Sequence, residues 1–173
     1  MTAPLLVRLG ARDRELMLRC VIAPTAPRRS RLAWTAITHL GGTGSSVVAA
    51  AAPWYQCCEW HAASRVALTT LVASHFAVQL VKRTVVRSRP ARSGLLPAVR
   101  EPDRFSFPSG HAAAAMSVAL GYGSAFPALF LPLLTLALLV GFSRVRVGVH
   151  FPGDVLAGQA IATATAGLVL LAR

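Results

Sequence analysis

An all-α fold, a helical bundle set in a membrane, is what three features of this sequence predict. Hydrophobic residues make up 54% of the 173 and charged ones 14%, with a mean hydropathy of +0.55, well to the apolar side of a soluble domain. Apolar stretches close to the length that crosses a bilayer recur along the chain, at 34–52, 62–81, 110–125, 126–142 and 155–172. The later ones are rich in alanine and glycine, small residues that let helices in lipid approach closely. About five transmembrane helices follow, preceded by an amphipathic one. All belong to one domain, 1–173, since a chain of this length leaves no room for a second of typical size.

The N-terminal segment, 1–33, contains "LLVRLGARDRELMLRCVI", in which Leu5, Leu9, Leu16 and Ile22 recur at helical spacing against a charged face. Arg8, Arg12, Asp13, Arg14, Glu15 and Arg19 interrupt any apolar core that a cleaved signal would need. Two readings stand for this helix: one lying in the headgroup layer, the other packed on the bundle surface. The first apolar stretch holds "GGTGSS", Gly41 to Ser46, without the lysine and preceding strand of a phosphate loop, so its glycines are read as close helix packing. Trp54, Tyr55 and Trp60 crowd the next connection as an interfacial aromatic belt does, and His61 is read with them. In the second stretch Arg65 must snorkel toward one end. His39 and His75 are read as helix-packing residues. Cys20, Cys57 and Cys58 form no spaced set for a disulfide framework or a metal site.

A net charge of +12 in a soluble protein would point to nucleic acid. Here the arginines lie between apolar runs, where they meet lipid headgroups or phosphate, so nucleic acid is not expected as a partner. The one long polar connection, 82–108, is where function is sought, because long ordered loops in compact domains are usually functional.

Three blocks carry chemistry. The first is "KRTVVRSRP", where Lys82 is the sole lysine and Arg89 follows seven residues later, two helical turns on, so that both cations share one face before Pro90 stops the helix. The pair suits a phosphate; a basic stretch touching anionic lipids is the other reading. The second block is "FSFPSGHAAAAM". Ser109 is placed to cap the helix that follows, and Gly110 lets backbone N–H approach an oxyanion closely. His111 stands where it can pass a proton to a leaving oxygen. The third is "SRVRVGVHFPGD". Arg144 adds a third, forked cation, and Asp154 lies four residues after His150, placed to accept from one imidazole nitrogen and leave the other free. An acid at the mouth of an apolar segment is costly unless paired.

Taken together, Lys-x6-Arg-Pro, Pro-Ser-Gly-His and Ser-Arg-x5-His-x3-Asp, eleven identities from Lys82 to Asp154, resemble the type 2 phosphatidic acid phosphatase (PAP2) superfamily. The resemblance implies a membrane phosphatase, with 82–154 as its catalytic region. Lys82, Arg89 and Arg144 would clamp the phosphate oxygens, with Ser109 and Gly110. His150 would be the nucleophile that forms a phosphohistidine, Asp154 would orient its ring, and His111 would protonate the leaving group and then activate water. No metal or other cofactor is implied, since the cations supply the positive charge.

Membrane embedding favours a lipid phosphate as substrate, with membrane lipids as the surroundings. Undecaprenyl diphosphate or a related polyprenyl phosphate is the expectation. Phosphatidic acid, phosphatidylglycerophosphate and a polyprenyl-phosphoryl-pentose phosphate are the alternatives, and a non-catalytic lipid-phosphate binder or transporter-like bundle comes from another class. Having both histidines and Asp154 favours the enzyme, because binding alone needs only the cations. The N-terminus and all three blocks fall on one membrane face. Their arginines make it the cytoplasmic face by the positive-inside rule, whereas the resemblance favours the external or periplasmic face of the cell membrane.

Overall fold

The computed structural model describes residues 5–90, 97–99 and 103–172, with side chains from residue 10 onward. Arg92 and Arg100 and the side chains of Leu5, Arg8 and Leu9 lie outside this description. The described residues form seven α-helices: α1 (Leu5–Cys20), α2 (Arg28–Leu40), α3 (Thr43–Ala51), α4 (Cys58–Val85), α5 (Gly110–Ala125), α6 (Pro127–Arg146) and α7 (Pro152–Leu171). A short 3₁₀ turn, Ala52–Tyr55, joins α3 to α4.

Three helices, α4, α6 and α7, are long and apolar enough to cross a membrane. Their outward faces carry exposed Phe76, Leu80, Leu131, Leu156 and Leu168, as a surface solvated by lipid requires. The 16-residue α5 runs through the middle, packed against all three. On α4 a stripe of Ala63, Ala67, Thr70, Ser74 and Val78 is buried at helical spacing, small enough for the backbone of α5 to close on it. At Gly121 an added Cβ would lie 2.5 Å from Ala67 Cα, which leaves no room for any larger residue. Hydroxyl pairs join the same two helices, Ser64 to Tyr122 and Ser74 to Ser117, each at 2.9 Å.

The stretch expected as a first span is divided into α2 and α3 at Gly41–Gly42. A Cβ at Gly41 would lie 2.9 Å from the His111 carbonyl oxygen and 2.5 Å from Val140, so the glycine corner lets this elbow settle against α5 and α6. Ser45 helps close the corner by donating to the Gly42 carbonyl at 3.0 Å. The packed reading of α1 accords with its contacts with α6 and α7: Met17 is wholly buried among Ala112, Val145, Phe151 and Val155. Neither His39 nor His75 is a packing residue; both are exposed, because the helix rotation set by their small buried neighbours Thr38 and Ser74 turns them outward.

Candidate active site

Four helix ends meet at one end of the bundle: the C-termini of α4 and α6 and the N-termini of α5 and α7. The two N-termini bring the positive ends of their helix dipoles, an environment that favours an anion. Every residue singled out in the three blocks lies at this end.

Helix α4 stops at Val85 rather than running on to Arg89. Val86 adopts a left-handed conformation, φ 49°, and turns the chain so that Ser88 pairs with Phe105 in an isolated bridge. Lys82 and Arg89 therefore do not converge by sharing a helix face. Asp103 joins them: its Oδ2 accepts from Lys82 Nζ at 2.6 Å and its Oδ1 from Arg89 Nη2 at 2.9 Å. Burial alone would push the Asp103 carboxyl up, but the hydrogen bonds from Lys82 and Arg89 outweigh it and hold it below the ordinary carboxylate value. Arg89 is fully buried and also donates to the carbonyls of Asp103, at 2.6 Å, and Val149, at 2.9 Å.

The Phe107–Pro108 peptide is cis, and Ser109 caps α5, its hydroxyl accepting weakly from Ala112 N at 3.4 Å. Its backbone N–H donates to the Asp154 carbonyl at 2.8 Å, which ties the Pro-Ser-Gly-His turn to α7. Gly110 opens α5 and His111 stands half-buried beside it. In the last turn of α6, Arg144 is buried and donates through Nη1 to Thr38 Oγ1 at 2.8 Å. Its Nε and Nη2 have no hydrogen-bond partner among the described residues. A buried cation with an unused edge is costly unless something anionic completes it. Beside it opens a cavity of about 490 Å³ lined by Thr35, Thr38, His39, Ala98, Val99, His111 and Arg144.

The loop from α6 to α7 turns through Gly148, whose φ of +78° suits a residue without Cβ, and both Val149 N and His150 N donate to the Arg144 carbonyl. His150 is thereby fixed against Arg144. Its Nδ1 stands 3.5 Å from Asp154 Oδ2, and its Nε2 stands 3.2 Å from Arg89 Nη1. Burial is the main force lowering the His150 imidazole to about 4; Asp154 opposes that shift, and the Arg144 and Arg89 charges add to it. These forces favour the uncharged ring, with the Nε2 lone pair turned toward Arg89 Nη1. Asp154 is completely buried, and its Oδ2 also accepts from Ser106 Oγ and, at 2.8 Å, from Phe151 N.

None of Thr38, Asp103, Ser106 and Arg87 stands out in the sequence as a contact of this cluster, and Arg87 falls among the arginines expected to meet lipid headgroups or phosphate. Arg87 instead turns inward and donates to Asp154 Oδ1 at 2.7 Å, while Arg83 and Arg104 are exposed. His39, read as packing, lines the cavity. Asp103 was the most findable of these, as an acid three residues before Ser106 in a chain with few acids. The others carry no spacing signal.

A model of the PAP2 superfamily matches residues 63–173. The chain is 40% identical over 89 residues to a decaprenylphosphoryl-5-phosphoribose phosphatase of Mycolicibacterium smegmatis, a match covering 49% of this chain and 46% of that protein. It is 33% identical over 98 residues to a lipid A 1-phosphatase of Rhizobium etli, covering 53% and 42%. The chain thus spans about half the length of the curated relatives it matches. Among solved structures, the transmembrane PAP2-type phosphatidylglycerolphosphate phosphatase from Bacillus subtilis superposes with a TM-score of 0.77 at 26% identity, over 94% of this chain and 85% of that one. Aquifex aeolicus LpxE gives 0.76 at 22% identity over 91% and 93%, a likeness of fold.

Proposed function

The chain belongs to the PAP2 superfamily, and from that membership we propose that it hydrolyses a phosphomonoester of a membrane lipid through a phosphohistidine on His150. The observation that carries the reading is the unused edge of Arg144, buried beside His150, whose Nδ1 faces Asp154. Nδ1 faces Asp154, so Nε2 is the attacking nitrogen. It bonds to phosphorus as the bond from phosphorus to the ester oxygen breaks, and His111, protonated once the charge of the bound phosphate faces the buried cations, gives its proton to that oxygen. Arg144, Arg89, Lys82, Ser109 and the Gly110 N–H hold the charge on the phosphoryl oxygens. His111 then takes a proton from water, whose oxygen displaces His150 from phosphorus. Asp103 keeps Lys82 and Arg89 side by side until an incoming phosphate takes over part of their donors.

The substrate we propose is a polyprenyl-phosphoryl-pentose phosphate rather than undecaprenyl diphosphate. Two relatives from Mycobacterium tuberculosis, 36% identical over 101 residues, bear the same decaprenylphosphoryl-5-phosphoribose phosphatase name as the one from Mycolicibacterium smegmatis. The polar wall of Thr35, Thr38 and His39 beside Arg144 suits a hydroxylated leaving group better than a bare lipid tail. We place the enzyme in the cell membrane with its site on the external face.

Purified protein in detergent with EDTA present is expected to release phosphate from decaprenylphosphoryl-5-phosphoribose faster than from undecaprenyl diphosphate, phosphatidic acid or phosphatidylglycerophosphate. His150→Ala is expected to abolish release while the protein stays folded. Full activity in that variant sinks the mechanism; a faster reaction with another of the lipids moves the substrate assignment to it.

A further inference from the structure

We propose that Asp13 and Arg87 are positioning residues for this reaction, through which the first helix of the chain holds the carboxylate of Asp154 against His150. The proposal rests on the phosphatase reading above.

Arg87 lies just past the left-handed turn at Val86. Its guanidinium lies 4.2 Å from the centre of the Phe151 ring and bridges two carboxylates: Nη1 donates to Asp154 Oδ1 and Nη2 to Asp13 Oδ2, both at 2.7 Å. Asp13 comes from α1, and its Oδ1 accepts from Gly153 N at 2.7 Å in the first turn of α7. A Cβ at position 153 would lie 2.9 Å from Asp13 Oδ2, so a larger residue there would push the carboxylate away from Gly153 N.

The division of labour on Asp154 follows from these contacts. Arg87 occupies Oδ1, while Oδ2 is left to Ser106, Phe151 N and the imidazole of His150. A carboxylate held at both oxygens cannot rotate, so the edge facing Nδ1 is fixed before phosphorus is attacked. Arg87 alone would also draw negative charge away from the edge that must stabilise the imidazolium of the phosphohistidine. Asp13 neutralises Arg87 from behind and leaves Asp154 its charge. Asp13 thus acts through Arg87, and Arg87 through Asp154; neither touches the substrate.

The test compares kcat, KM and thermal unfolding of the full chain in detergent for wild type, His150→Ala, Asp13→Asn, Arg87→Gln, Arg87→Lys and the double variant Asp13→Asn/Arg87→Gln. Loss of Arg87 is expected to lower kcat about 10- to 100-fold, the usual effect of removing a group that orients a reactive side chain, with KM within about twofold. Arg87→Lys is expected to recover part of that loss, since it keeps the charge without the bridge. The double variant is expected to be no slower than Arg87→Gln, because the effect of Asp13 passes through Arg87. A kcat per folded molecule that is unchanged in both Arg87 variants overturns the proposal, leaving the pair a docking contact of α1, as does a double variant whose losses simply add. Should a variant fail to fold, Asp13→Asn and Arg87→Lys still read the split between kcat and KM. Wild type without release that depends on His150 sinks the phosphatase reading itself, and this proposal with it.

Discussion

Arg144 is where a single residue decides most. Thr38 holds one terminal nitrogen, so the free edge, Nε and Nη2, points where two phosphoryl oxygens can be met at once. Lysine in its place keeps the charge and loses the fork. Arg144→Lys is expected to lower kcat/KM for phosphate release by about 10²- to 10³-fold, the scale seen when one aligned donor to a developing oxyanion is removed. A variant within threefold of wild type means that charge alone suffices there. The cluster around Arg144 was legible in the sequence as far as motif spacing reaches: Lys82, Arg89, Ser109, Gly110, His111, Arg144, His150 and Asp154 come together at one end of the bundle. The contacts that orient them were not. Asp13 meets Arg87 across 74 residues and Thr38 meets Arg144 across 106, and no local period or spacing encodes such pairs.

At the scale of elements, the site depends on how closely α5, α7 and α4 approach one another, and glycine sets both distances. A Cβ at Gly158 of α7 would lie 2.3 Å from the Ser109 carbonyl oxygen, and one at Gly121 of α5 would lie 2.5 Å from Ala67 Cα. Both obstacles are backbone or backbone-bound atoms that cannot swing aside. Overpacking at such a crossing costs about 1–3 kcal/mol, so Gly158→Ala and Gly121→Ala are each expected to lower the unfolding temperature in detergent. They part company in turnover. Gly158→Ala pushes on the residue that caps α5 beside His111, whereas Gly121 sits three turns further along. At a temperature where both variants are folded, Gly158→Ala is expected to lose clearly more kcat; equal losses mean that the α5–α7 distance does not govern the site. The later helices were readable because their apolar stretches approach the length that crosses a bilayer and are rich in small residues. Around Gly41 hydropathy alone ran α2 and α3 into one span, since a glycine corner inside an apolar stretch leaves the average unchanged. The end of α4 was misplaced for a related reason: nothing in "TVVRSRP" marks Val86 as left-handed before the proline is reached.

For the whole molecule, the topology turns on which arginines still count as charge at the membrane surface. Arg87, Arg89 and Arg144 are engaged inside the site, and Arg146 donates to the Cys20 carbonyl at 2.7 Å and stacks on Trp34. These four are engaged within the protein, so they do not count as surface charge in the positive-inside argument for a cytoplasmic site. The chain carries its own reporters for this. Cys57 and Cys58 are exposed at the start of α4, whose 28 residues place them about 42 Å, at 1.5 Å per residue, from the end that bears Lys82. Cys20 lies at the site end, packed beside Met17 and Val145. In a Cys20→Ser variant, a membrane-impermeant maleimide applied to intact cells is expected to leave Cys57 and Cys58 unlabelled until the membrane is permeabilised. Labelling before permeabilisation would put those thiols outside and the four helix ends inside. The enzyme would then have to meet its lipid on the cytoplasmic leaflet, and the exposed Arg28, Arg29 and Arg31 would be read as the charges that hold it there.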